Sequence, residues 1–174
     1  MADAIAEEER GVPISVEKTT LFERLTQEDR ANLEEIAAAF KTTVEKKGLR
    51  GALIVVGGIL EKPLPRKDID VRAILETGQK RENYESYLGF AKGKFAIMRE
   101  VINGIVQASG AIVSEVIEPT MDEEHQNTAI LKHEGSITLS RGNGTPIEFM
   151  NTTGTSLNEH IAGEGRPFCI LVSN

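Results

Sequence analysis

Two long segments of the chain carry apolar residues at the three- and four-residue spacing of an amphipathic helix. The first begins at Thr26, in a sequence similar to a capping box with Asp29 in place of Glu, and ends at Gly48. The second begins at Tyr84 and ends near Gly110. The pattern predicts two long helices that each bury one face. The repeating positions are Leu33, Ile36, Ala37, Phe40 and Val44, then Tyr84, Tyr87, Leu88, Ala91, Phe95, Met98, Ile102 and Ile105.

Short apolar runs between and after these segments predict β-strands. The continuous run at 52–56 is typical of a strand covered on both faces, and 68–75 is the next candidate. The pattern therefore predicts an α+β fold, with a mixed, mainly antiparallel sheet backed by two long helices. A tight turn at 142–144 joins two of the later strands. Those later strands are predicted at 111–117, 128–132, 136–141, 145–150 and 167–173.

The length of 174 residues suits one compact domain with one core. Residues 1–20 have mixed charge and little periodicity, so they are predicted to be a flexible acidic arm. Residues 21–174 are predicted to form a single domain.

Charge and composition narrow the classes of function. The 27 acidic and 20 basic side chains give a net charge of -7, and no basic block suggests generic binding to duplex nucleic acid. The single cysteine, Cys169, excludes a disulfide framework and a thiolate metal cluster, and its apolar neighbours indicate buried packing. The longest apolar run, 52–60, is far shorter than the ~20 residues of a membrane span. With an acidic start that does not resemble a signal peptide, we expect a cytoplasmic location and no membrane partner.

Two carboxylates one residue apart mark the start of the second predicted strand. On a strand, Asp68, Asp70 and Arg72 share one face while the intervening apolar residues share the other. Two neighbouring anions repel each other unless a cation lies between them, and Mg²⁺ binds carboxylates together with substrate phosphates. The pair therefore predicts a magnesium site. Arg72 could contact a phosphate or pair with Asp70.

A glycine pair at the end of the preceding strand suggests a phosphate site. Gly57 and Gly58 would let the backbone approach a ligand, and amide groups at such a turn can bind phosphate. Lys62, Arg66 and Lys67 lie between this turn and the aspartates. They could neutralise more phosphate charge, or form an ordinary solvated loop.

This arrangement, Gly57-Gly58 followed after nine residues by Asp68-Ile69-Asp70, resembles the signature of the polymerase-β-like nucleotidyltransferases. The segment LPRKDIDVRAIL is similar to the corresponding part of the tRNA CCA-adding and related enzymes. The resemblance covers about residues 50–75 and implies a nucleotidyltransferase-like fold. It further implies that the glycine turn binds nucleotide phosphates and that the aspartates bind two Mg²⁺ ions. The implied reaction transfers a nucleoside monophosphate from a nucleoside triphosphate, such as ATP, to a hydroxyl, with release of pyrophosphate.

The family also uses a third carboxylate from a later strand. Glu148 fits because the neighbouring Ile147 and Phe149 would face the core. Glu115 is the alternative, since it directly follows the second long helix. Glu148 is the preferred candidate for both the catalytic and the metal-binding role, in a two-metal, in-line displacement.

Several alternatives stay open at this point. Pro63 and Pro65 limit any helix after the glycine turn to about one turn. The acceptor could be a small molecule, a protein or RNA, and a partner protein or a homo-oligomer could complete the site. The chain could instead be a non-catalytic nucleotide-binding or protein-interaction module, or a structural subunit. His125, His133 and His160 lack the spacing of a zinc motif and are predicted to be structural or on the surface.

Overall fold

The structure is a computed structural model that describes residues 14–61, 67–121, 131–153, 156, 158 and 167–174. Its helices and strands come in successive runs and do not alternate regularly, as expected of an α+β domain. The helices are α1 (Lys18–Glu23), α2 (Gln27–Lys46) and α3 (Tyr87–Ser109), with a short 3₁₀ turn at Arg81–Asn83. The strands are β1 (Arg50–Val56), β2 (Ile69–Glu76), β3 (Ile112–Ile117), β4 (Thr120–Met121), β5 (Leu131–His133), β6 (Ser136–Ser140), β7 (Ile147–Met150) and β8 (Phe168–Ser173).

Six of these strands form one sheet in the order β3-β6-β7-β2-β1-β8. The pairs β1–β2, β1–β8, β3–β6 and β6–β7 are antiparallel, whereas β2 and β7 run parallel. The short strands β4 and β5 pair separately. The predicted α+β class, with a mixed and mainly antiparallel sheet, is confirmed.

The core lies between one face of the sheet and the two long helices. Alternate strand residues such as Leu53, Val71 and Phe149 are fully buried against the apolar faces of α2 and α3. The opposite face of the sheet carries a smaller buried cluster, formed by Ile54, Val56, Ile74 and Phe168. Cys169 is fully buried, as predicted. Within the described ranges, no helix is long and apolar enough to cross a membrane.

Both long helices begin at a capping side chain. The Ser86 side chain accepts a hydrogen bond from the Gly89 amide, so α3 begins at Tyr87 and the predicted start at Tyr84 is wrong. The Tyr84 ring instead packs against Phe90. At its other end, α3 stops at Gly110, which has a left-handed φ of 74°.

The N-cap of α2 corrects the interpretation of Asp29 as part of a capping box. The Thr26 hydroxyl accepts from the Asp29 amide at 3.1 Å, as a capping box requires. The Asp29 carboxylate, however, accepts two hydrogen bonds from Thr145. Asp29 therefore connects the helix to the turn before β7.

The predicted boundary between the N-terminal arm and the domain falls inside a helix. Ser15 forms a parallel bridge with Phe168, and α1 begins at Lys18 with Leu21 fully buried, so the predicted boundary at residue 20 lies within this helix. Residues 1–13 of the predicted arm lie outside the described residues. The same holds for 128–130 of the predicted strand 128–132, of which the structure describes Leu131–His133 in β5.

Candidate metal centre

The predicted carboxylates lie near the strand ends at one end of the sheet, where β1 ends and where β2 and β7 begin. Asp70 is in register with Glu148 of the parallel strand β7 and with Val56 of β1. Asp68 directly precedes β2. The parallel pairing of β2 with β7 therefore brings residues 78 positions apart in sequence to the same point.

Alternation along the strands selects the face on which these acids lie. Ile69, Val71, Ile147 and Phe149 are buried towards the helices, so the residues between them project from the other face. This is the orientation that the sequence predicts for Asp70 and Glu148.

Asp68, Asp70 and Glu148 form one acidic group. Each offers a carboxylate oxygen, and these oxygens all lie within 4.8 Å of one another. All three residues are partly buried. Among the described residues, no basic side chain forms an ion pair with Asp68 or Glu148. Three oxygen donors converging at this distance fit a hard divalent cation such as Mg²⁺.

Glu115, the alternative third acid, lies on β3, which is separated from β7 by β6. It is in register with Thr138 of β6, which is in turn in register with Glu148. One whole strand therefore separates Glu115 from Glu148, and the acidic group that the structure describes does not include Glu115. The geometry favours Glu148 as the third member.

The clustered charges affect the titration of Glu148. Burial raises the pKa of this carboxyl above its usual value, and repulsion from Asp70, Asp68 and, least, Glu115 raises it further. Two carboxylates about 5 Å apart repel each other by a few kcal/mol at an effective dielectric constant of about 20. The ionised form of Glu148 is therefore unfavourable in the folded chain, and a bound cation would relieve the repulsion.

Gly57 closes one side of this group. Its φ is +85°, a backbone conformation that favours glycine, and a Cβ atom at this position would make a tight contact of 3.0 Å with Asp70 Oδ2. The next residues form a turn in which Leu60 and Glu61 donate to the carbonyls of Gly57 and Gly58.

The turn also presents backbone donors. Within the described part of the chain, the amides of Gly58 and Ile59 have no hydrogen-bond acceptor. The Arg24 guanidinium donates to the carbonyls of Ile59 and Leu60 and so fixes the turn from the end of α1. Backbone amides held at a turn in this way are suited to bind an anion.

A contact that was not predicted from the sequence fixes the turn that precedes Glu148. The turn between β6 and β7 lies against the first two turns of α2, where Glu28, Asp29 and Asn32 bond to Asn143, Thr145 and Arg141. A Cβ atom on Gly144 would overlap the side-chain amide nitrogen of Asn32. Glycine at 144 permits this close approach. The clustered Gly-Asn-Gly indicated the turn but contained no sign of its partner helix.

The basic residues of the predicted phosphate site are only partly described. Arg72 lies two residues after Asp70 on the same face of β2 and is partly buried. It is in register with Ile54 of β1 and Met150 of β7. Lys67 is exposed just before Asp68, whereas Lys62 and Arg66 lie outside the described residues. Of the three histidines, His133 accepts a hydrogen bond from the Gly135 amide, and His125 and His160 also lie outside them.

The raised pKa of Glu148 predicts a specific pH dependence of stability. Because the folded chain holds this proton more tightly than the unfolded chain, the stabilising contribution is complete below the unfolded pKa. It is lost as the pH rises through the higher folded pKa. In metal-free protein, we therefore expect the free energy of unfolding of the wild type to fall relative to Glu148→Gln over this interval.

Urea unfolding of both proteins from pH 4 to pH 8, in chelator and then in Mg²⁺, measures this difference. With Mg²⁺ the relative loss should shrink, because the cation favours the ionised carboxylate. Parallel pH profiles for the two proteins in chelator would show that folding does not raise the pKa of Glu148.

Comparisons with known proteins add no family assignment. Neither a scan against protein-family models nor a search of curated proteins found a match to this chain. We therefore infer a function from the chain's own residues and their geometry.

Proposed function

We propose that this chain is a metal-dependent nucleotidyltransferase with a polymerase-β-like, nucleotidyltransferase-like fold. The observation that supports the proposal most strongly is the convergence of Asp68, Asp70 and Glu148 beside Gly57. This convergence joins the two features of the family resemblance, the glycine turn and the paired aspartates, to a third acid on a separate strand. The acids and the turn come from β1, β2 and β7, so their meeting requires the tertiary fold.

Mg²⁺ fits this donor set, because all three donors are carboxylate oxygens and a nucleotide can supply further oxygens. Asp68 and Asp70, with Glu148, would hold two Mg²⁺ ions. When bound, these ions supply positive charge that offsets the charge of the triphosphate. The turn at Gly57-Gly58 would bind the terminal phosphates through its backbone amides, and Arg72 and Lys67 are the described basic residues nearest in sequence to the aspartates.

Glu148 suits the role of general base. An ionised carboxylate can accept a proton, and Glu148 lies on the side of the aspartates away from Gly57. In the proposed reaction, an acceptor hydroxyl oxygen bonds to the α-phosphorus, and its proton passes to Glu148. The bond from that phosphorus to the bridging oxygen breaks, and pyrophosphate leaves with the bonding electron pair.

Transfer of label from α-³²P-labelled nucleoside triphosphates tests this function. Each triphosphate is incubated with the chain and Mg²⁺, together with separated small-molecule, protein and RNA fractions, because the acceptor could belong to any of these classes. We expect label to enter one fraction with stoichiometric release of pyrophosphate. Binding of Mg²⁺ and triphosphate without pyrophosphate release in any fraction would indicate a non-catalytic nucleotide-binding module instead.

A further inference from the structure

The start of α2 and the turn before β7 are joined by hydrogen bonds from two buried polar side chains of α2. Asp29 is only 8% exposed, and its two carboxylate oxygens accept from the backbone amide and the hydroxyl of Thr145, both at 2.7 Å. Asn32, which is 3% exposed, donates to the Arg141 carbonyl and accepts from the Arg141 guanidinium. The polar groups of this buried contact are thus directly paired.

This contact lies immediately before the third carboxylate in the chain. Pro146 follows Thr145, and its carbonyl accepts a hydrogen bond from the Ile69 amide at 2.9 Å, which is the first link between β7 and β2. Ile147 and Glu148 come next and are in register with Ile69 and Asp70. A shift of Thr145 would therefore be passed directly to the start of β7.

We propose that Asp29 is a positioning residue for Glu148: by fixing Thr145 at the entry to β7, it sets the distance of the third carboxylate from Asp68 and Asp70. The inference rests on the proposed metal site. Metal affinity depends steeply on the position of each ligand, and loss of a residue that orients a ligand typically costs 10- to 100-fold. Within the described residues, Asp29 bonds to Thr145 and to no member of the acidic group, so it acts through the backbone.

Mn²⁺ affinity, measured by calorimetry on the full chain, tests this role. We expect Asp29→Ala to weaken Mn²⁺ binding by about 10- to 100-fold, and Asp29→Asn, which keeps one acceptor oxygen, to lose less. Thr145→Val is a milder second variant, because it removes the hydroxyl donor and leaves the backbone bond to Asp29 Oδ1. The matched control is Thr43→Val, which removes another buried side-chain hydrogen bond of α2, to the Ala39 carbonyl, far from the turn.

A double-mutant cycle separates positioning from general destabilisation. If Asp29 acts by placing Glu148, Asp29→Ala should weaken Mn²⁺ binding much less in the Glu148→Gln background than in the wild type. Additive losses, or unchanged affinity in both Asp29→Ala and Thr145→Val, would overturn the inference and leave the metal site standing. A wild type that binds no Mn²⁺ would overturn the proposed function and this inference together.

Discussion

Replacing Asp68 and Asp70 together with alanine is expected to abolish Mg²⁺-dependent binding of nucleoside triphosphates. The change removes two of the three carboxylates that lie within 4.8 Å of one another and leaves Glu148 alone. One carboxylate is a weak Mg²⁺ site, and without the bound cation the charge of the triphosphate is no longer offset there. We expect affinity in Mg²⁺ to fall by about 100-fold or more.

Calorimetric titration with each nucleoside triphosphate, with and without Mg²⁺, measures this loss. The matched control is Glu76→Ala, which removes an exposed acid at the far end of the same strand and should leave binding unchanged. Triphosphate binding that keeps its Mg²⁺ dependence in the double variant would place the cation elsewhere.

Replacing Glu148 with glutamine is expected to separate transfer from binding. The amide keeps the shape of the side chain and one oxygen donor but cannot accept a proton at neutral pH. We therefore expect transfer to fall by about 10²- to 10⁴-fold, while triphosphate binding in Mg²⁺ falls much less. The metal-free variant should be more stable than the wild type at neutral pH, because burial and the neighbouring aspartates make the ionised carboxylate unfavourable.

Glu115→Gln is the internal comparison for this experiment. Glu115 lies two strands away and outside the acidic group, so its loss should leave both transfer and binding close to wild type. If Glu115→Gln lost transfer while Glu148→Gln kept it, Glu115 would be the third acid. Unchanged transfer in both variants would remove the proton-accepting role from either residue.

The long helices and most strands could be predicted from the sequence because their apolar periodicity is strong. Leu33, Ile36 and Phe40 are fully buried on α2, as their spacing requires. The predicted start of α3 was wrong by three residues, because Tyr84 fits the apolar repeat but Ser86 supplies the cap. Periodicity identifies a buried face, whereas a capping hydrogen bond decides where a helix begins.

The acidic group could be predicted only in part. Alternation along β2 and β7 correctly indicated the face that holds Asp70 and Glu148, because a strand reverses its side chains at every residue. Alternation could not decide between Glu148 and Glu115, since both fit an outward position on a strand. That choice depends on the parallel pairing of β2 with β7, which is a tertiary contact.

The role of Asp29 was beyond sequence reasoning for a related reason. Local pattern assigned its carboxylate to the N-cap of α2, three residues from Thr26. Its hydrogen bonds instead go to Thr145, 116 residues away. A polar side chain with both a local and a distant partner shows only the local one in a single sequence.

Crystals of the chain soaked with Mn²⁺ and a non-hydrolysable nucleoside triphosphate analogue test the central claim most directly. We predict anomalous density between the carboxylates of Asp68, Asp70 and Glu148, and phosphate density against the amides at Gly57-Gly58. Manganese absent from these carboxylates at saturating concentration, or a triphosphate bound away from the glycine turn, would contradict the proposed nucleotidyltransferase site.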